Sequence, residues 1–146
     1  MIASAVAVAL LGGPCATAAR ADWSGDGNAD ILAVDPGERL LLYRGNGAGG
    51  FLGGTGEPIG SGWGPFTALL SPGDFSGDGN PDVLARSSDG ALLMYRGNGA
   101  GGWLTGLAEE IGSGWQPFTA VIPGGDFSGD GKADVLARQA DGTLLL

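Results

Sequence analysis

The chain has 146 residues, 31 of them Gly, and a formal net charge of −9 from 16 acidic and 7 basic side chains, with one Cys and no His. The acidic balance excludes a nucleic-acid partner, since phosphate binding needs a basic footprint. The missing His and the single Cys exclude Ser/His/Asp and Cys/His catalysis, a zinc site and an internal disulfide.

Residues 1–13, MIASAVAVALLGG, form an apolar run too short to span a bilayer comfortably, and PCATAARA follows. This is the pattern of a signal-peptide core with small-x-small cleavage triplets at Ala16-Thr17-Ala18 and Ala19-Arg20-Ala21. Residues 1–21 are therefore expected to be a leader, and the remainder is expected to be secreted, with no membrane span. The run lacks the usual preceding Lys or Arg. Pro14 stands where a lipidated Cys15 would need a small residue.

From Asp22 the chain repeats. DWSGDGNAD at Asp22, DFSGDGNPD at Asp74 and DFSGDGKAD at Asp126 are 52 residues apart, as are YRGNGAGG at Tyr43 and Tyr95 and IGSGW at Ile59 and Ile111. Residues 22–73 and 74–125 agree without gaps at 32 of 52 positions, and 126–146 begins a third copy. A fixed period of this length is the signature of a repeat architecture.

Within one copy the elements follow in order. ILAV at 31–34 is an apolar run, and Asp35-Pro36-Gly37 is a turn, replaced by Asp89-Gly90 and Asp141-Gly142 later. LLLY at 40–43 is the next run. Asn46-Gly47 is a hairpin signal, because both residues tolerate positive φ. A weaker segment carries Phe51, Leu52 and Ile59, and 66–70 leads into the next acidic loop. Short strands between Gly-rich turns, with no helical periodicity, predict an all-β fold of propeller blades. About two and a half blades are expected: 22–73, 74–125 and a truncated 126–146.

Nine of the 16 acids lie in the three D-x-S-G-D-G-x-x-D loops. Acids at positions 1, 5 and 9, Ser at 3 and a turn-forming Gly at 6 suit a hard cation that takes six to eight oxygens from a wrapping loop. Position 7 would offer its backbone carbonyl, whatever its side chain. The expected ligands are Asp22, Ser24, Asp26, Asn28 and Asp30 in loop one. They are Asp74, Ser76, Asp78, Asn80 and Asp82 in loop two, and Asp126, Ser128, Asp130, Lys132 and Asp134 in loop three. The competing reading is three polar turns, since Asp, Gly and Ser favour turns in any case. Mutual repulsion of three carboxylates within nine residues, three times over, weighs against it. An EF-hand is excluded by the absence of flanking helices and by Ala33, Ala85 and Ala137 at position 12. Ser at position 3 points to a weak, extracellular-range site. One Ca²⁺ per loop adds +6, taking the formal −9 to −3.

DFSGDGNPDVLAR and DFSGDGKADVLAR resemble the FG-GAP/VCBS repeats of bacterial secreted proteins, whose fold is shared with the integrin α-chain head. The resemblance covers Asp22 to Leu146, although the literal Phe-Gly-Gly-Ala-Pro string is absent. It implies a β-propeller with calcium in a loop between strands of each blade, held by the positions just named.

Other candidates are weaker. Gly45 to Gly50 and its copy at Gly97 match G-x-G-x-x-G, but FLGGTGEPIG after the first cannot be the helix a dinucleotide site needs. Trp63 and Trp115 are ligand-binding candidates that could stack on sugars; packing between neighbouring blades is the favoured alternative. Arg44 and Arg96 are expected to pair with an acid at a blade edge, and Glu109-Glu110 is expected in a solvated turn. The expected function is a secreted, non-catalytic, calcium-binding module that meets an extracellular protein or glycan. The alternatives are an accessory domain of a larger secreted hydrolase and a lectin-like propeller. Two and a half blades cannot close a ring, so further blades are expected from a longer chain or from self-assembly.

Overall fold

The computed structural model describes residues 22–146; the proposed leader and Cys15 lie outside the described residues. Ten strands and no helix are found among them. They are β1 (Ile31–Val34), β2 (Leu40–Tyr43), β3 (Glu57–Gly60), β4 (Ala68–Gly73), β5 (Asp82–Arg86), β6 (Leu92–Gly97), β7 (Trp103–Gly112), β8 (Ala120–Gly125), β9 (Asp134–Arg138) and β10 (Leu144–Leu145). No described helix is long and apolar enough to cross a membrane.

The strands make three antiparallel meanders, β1-β2-β3, β4-β5-β6-β7 and β10-β9-β8. These are the blades of an incomplete propeller. β1 and β2 occupy the two apolar runs read from the sequence. The turn between them is held by Asp35, whose carboxylate accepts the backbone N–H groups of Gly37 and Arg39 and the Arg39 guanidinium. After β2, the Asn46 carboxamide accepts the N–H groups of Ala48 and Gly50, and Asn98 repeats this with Ala100 and Gly102. These bonds account for the G-x-G-x-x-G string as a hairpin.

Sheets and sequence repeats are out of phase. β4 lies at the end of the first sequence repeat yet pairs with β5 of the second, and β8 pairs with β9 in the same way. Loops two and three thus each join two strands of one sheet, and loop one leads into β1. The sheet boundaries fall ahead of β4 and β8. β4 also runs further than the expected 66–70: Ser71 and Pro72 form a bulge before Gly73 re-pairs with Asp82. A bulge accommodates the missing proline N–H, and Gly73 supplies the φ of 95°.

The middle sheet is covered on both faces. One face packs Leu69, Val83, Ala85, Tyr95 and Trp103 against Trp23, Leu32, Leu40, Leu42 and Trp63 of the first sheet. The other packs Leu70, Leu84, Leu92 and Met94 against Val121 and Val135 of the third. This explains why the Val-Leu-Ala run of β5 does not alternate: all three side chains are buried. Trp23 is fully buried and donates its indole N–H to Ser71 Oγ at 3.1 Å. Burying a side chain of about 150–250 Å² at ~25 cal/mol/Å² is worth at most about 4–6 kcal/mol. Trp103 Nε1 donates to the Ile59 carbonyl at 2.7 Å, tying the second sheet to the first.

Candidate metal loops

The three acidic loops have one geometry. The first Asp gathers the N–H groups of the following turn. Asp22 Oδ1 accepts from Gly25 at 2.7 Å and Asp26 at 3.1 Å, and Oδ2 accepts from Gly27 at 2.8 Å. Asp74 does the same with Gly77, Asp78 and Gly79, and Asp126 with Gly129, Asp130 and Gly131. The glycines at positions 4 and 6 all have positive φ, from 74° to 89°. The position-4 requirement was missed from the sequence, although Gly25, Gly77 and Gly129 recur there. At position 5, Asp26, Asp78 and Asp130 each cap the N–H of position 7.

The ninth residue starts the next strand or stands just before it, and it pins the loop's entry to that strand. Asp30 Oδ2 accepts from Ser24 N at 2.7 Å and Oδ1 from Gly45 N at 2.9 Å. Asp82 Oδ2 accepts from Phe75 N and Ser76 N, and Asp134 Oδ2 from Phe127 N and Ser128 N. In loops one and two position 9 is the buried end of the site, with Asp30 6% and Asp82 0% exposed, whereas Asp134 is half-buried.

Loop two has two buried oxygens without hydrogen-bond partners, Ser76 Oγ and Asp82 Oδ1. They belong to positions 3 and 9, both expected ligands. Burial pushes the Asp82 carboxyl above the usual carboxylate range. The N–H groups of Ser76 and Phe75 and the nearby Ser76 hydroxyl oppose this, and the Asp78 charge adds to it. A raised value means that the ionised form is the strained one, relieved by a proton or a cation.

The donors are all oxygens, which fits a hard cation and not a soft one. Among the described residues, no three acidic side chains converge where they could hold a metal ion. The first-position carboxylates are instead occupied with loop N–H groups. The position-7 side chains of the first two loops are packed as well as exposing a backbone. Gly47 and Gly99 sit so close over Asn28 and Asn80 that an added Cβ would lie 2.5 Å and 2.3 Å from the respective Oδ1 atoms. Each hairpin turn therefore rests on the acidic loop of its own repeat. Loop one also touches the next blade, with the Gly101 N–H donating to the Trp23 carbonyl at 2.5 Å.

Arg44 pairs with Glu57 at 3.2 Å and Arg96 with Glu109 at 3.0 Å, as expected of blade-edge arginines. Glu109 and Glu110 are not in a solvated turn. Both lie in β7, at the positions where copy one has its own outer strand β3. Trp63 is 5% exposed, and Trp103 stacks on it at 5.3 Å and 17°, with Tyr95 and Phe66 alongside. Trp115 is half-buried against the second cluster and edge-on to Phe118. Trp63 thus belongs to the first core cluster and Trp115 packs against the second. Trp103, the centre of this aromatic cluster, was passed over within a weak segment. The aromatic at the equivalent Phe51 was its only signal.

The family model described as an FG-GAP-like repeat matches residues 22–85 and again 74–137. The chain belongs to the FG-GAP-like repeat family. No curated protein and no solved structure matches it. Each FG-GAP-like match opens on the first Asp of an acidic loop and closes within the strand after the next loop. The matched unit thus carries a whole loop at its start and overlaps its neighbour across loop two.

Proposed function

We propose that this chain is a calcium-binding FG-GAP-like module that acts outside the cell as a non-catalytic interaction surface for a protein or glycan. The observation that carries the calcium reading is the pair of buried, unpartnered oxygens in loop two, Ser76 Oγ and Asp82 Oδ1. Leaving such atoms unsatisfied is costly, and a buried carboxylate without a counter-charge costs more. A bound divalent ion would neutralise that carboxylate and supply the missing partner for both atoms. The residues expected to hold it are Asp74, Ser76, Asp78, Asp82 and the backbone of Asn80, with the equivalent positions in loops one and three. The N–H groups of Gly77, Asp78 and Gly79 orient the Asp74 carboxylate, so part of the ordering cost is met before binding.

The non-catalytic reading is supported by the absence of His and by the backbone bonding of the loop carboxylates. The extracellular reading is supported by the apolar N-terminal run, the family resemblance and the weak-site pattern of Ser at position 3.

The test is calcium titration of the metal-stripped full chain by calorimetry, beside the Asp82→Asn variant. Saturable calcium binding is expected, with Asp82→Asn losing one site. That variant should be at least as resistant to urea as wild type without calcium, because it removes a buried charge. A flat titration of folded wild-type protein would refute the calcium reading.

A further inference from the structure

The hairpin at 98–102, which joins β6 to β7, lies between two acidic loops. Asn98 holds its shape. The carboxamide accepts the N–H groups of Ala100 and Gly102, and the Asn98 N–H donates to the Gly102 carbonyl at 3.0 Å. On one side the hairpin rests on loop two. An added Cβ at Gly99 would lie 2.3 Å from Asn80 Oδ1, and one at Gly97 would lie 2.1 Å from the Pro81 carbonyl oxygen. On the other side it meets loop one. The Gly101 N–H donates to the Trp23 carbonyl at 2.5 Å, and an added Cβ at Gly25 would lie 2.3 Å from the Gly99 carbonyl oxygen. Gly99 therefore touches position 7 of loop two and position 4 of loop one, and neither contact leaves room for a Cβ.

These contacts make each loop sensitive to the other. The Asn80 carbonyl is an expected ligand, so an occupied loop two fixes Asn80 and, through it, Gly99. In loop one Asp22 gathers the N–H groups of Gly25, Asp26 and Gly27. Drawing the Asp22 carboxylate onto a cation moves that turn, and the Gly99 carbonyl limits where Gly25 can go. A hairpin already held in place by loop two spares loop one the cost of ordering it. A first binding event that orders a shared segment favours the second.

We propose that the 98–102 hairpin couples loops one and two, so that a cation in loop two strengthens cation binding in loop one. By linkage, occupation of loop one strengthens loop two by the same factor. The inference rests on the calcium reading, which the buried, unpartnered Ser76 Oγ and Asp82 Oδ1 of loop two support. It adds that the two sites are not independent.

The test is terbium titration of the full chain with luminescence excited through Trp. The loop-one signal is the part of the emission that Asp26→Ala removes. Asp78→Ala in loop two is expected to weaken terbium binding at loop one about fivefold or more, the lower end of typical coupling between sites. Asp130→Ala in loop three makes the same charge change and is expected to leave loop one unaltered. In an Asn98→Ala background the hairpin has lost its side-chain bonds, and there Asp78→Ala is expected to cause no further loss. Circular dichroism of the metal-free variants checks folding. If Asp78→Ala is unfolded, Asp78→Asn keeps an oxygen to cap the Asn80 N–H and gives the same comparison. Loop-one binding that is equal in wild type and Asp78→Ala overturns the coupling and leaves the calcium reading intact. An equal loss in Asp130→Ala also overturns it, because net charge alone would then account for the effect. A loss that persists in full without Asn98 overturns the hairpin as the route. Folded wild type with no sensitised emission overturns the coupling together with the loop-one site.

Discussion

Asp35 is partly buried, and it organises its turn through four bonds, two to backbone N–H groups and two to the Arg39 guanidinium. The Arg39 side-chain bond, followed by the Arg39 N–H, holds its carboxyl below the usual carboxylate value. A folded-state value below the unfolded one adds stability that is present above the unfolded value and lost as pH falls through the folded one. The stability gap between wild type and Asp35→Asn should therefore be fully open at neutral pH. It should close on acidification below about pH 4, as followed by urea unfolding at a series of pH values. A gap unchanged down to the acid limit would show that the carboxylate charge contributes nothing. Asp82 is the opposite case: burial raises its value, so its ionised form opposes folding until a cation or proton arrives. Two aspartates in one protein thus carry opposite signs, and the surroundings alone decide which.

At the level of the strand, the outcome depended on what each side chain met. β1 and β2 were legible to the residue because apolar runs there are closed by an Asp turn and an Asn-Gly turn, both local signals. β7 was not. Its 10 residues are mostly exposed and carry Gly106 and two glutamates, so local preference says coil. Pairing with β6 and the Arg96–Glu109 bridge hold it extended. Charged edges of this kind also discourage unwanted strand pairing. β4 ran past its expected end because a bulge lets Pro72 stay in the strand. The acidic loops were legible as repeated donors. Their hydrogen-bond plan was not, since which carboxylate faces the backbone depends on Gly conformations at positions 4 and 6. Trp63 gives the test at this scale. Replacing a buried Trp with Ala typically costs about 3–5 kcal/mol. Trp63→Ala should lose stability in that range by chemical denaturation, and Trp115→Ala, half-buried, should lose less. A Trp63→Ala chain of unchanged stability would mean that the ring is not part of the junction core.

For the whole molecule, the 52-residue period does most of the explaining. It stacks three sheets by one repeated junction, sets one acidic loop in each, and concentrates nine of 16 acids in those loops. Repeat proteins of this kind take stability from each unit and each neighbour contact. A loop that binds a cation adds to its own sheet and to the junction it touches. Loop one touches the next blade through the Gly101 bond to the Trp23 carbonyl. A ligand that binds only the folded state stabilises it by about 2.7 kcal/mol at a hundredfold excess over its dissociation constant. Calcium at three loops would therefore affect the whole stack. Trp23 sits within loop one, so a cation bound there would be readable by light. The decisive measurement is terbium luminescence of the full chain excited through Trp, with calcium as competitor. Saturable emission that calcium reverses and that Asp26→Ala removes is the predicted result. Folded protein that gives no sensitised emission would contradict it and leave loop one a turn closed by its own backbone.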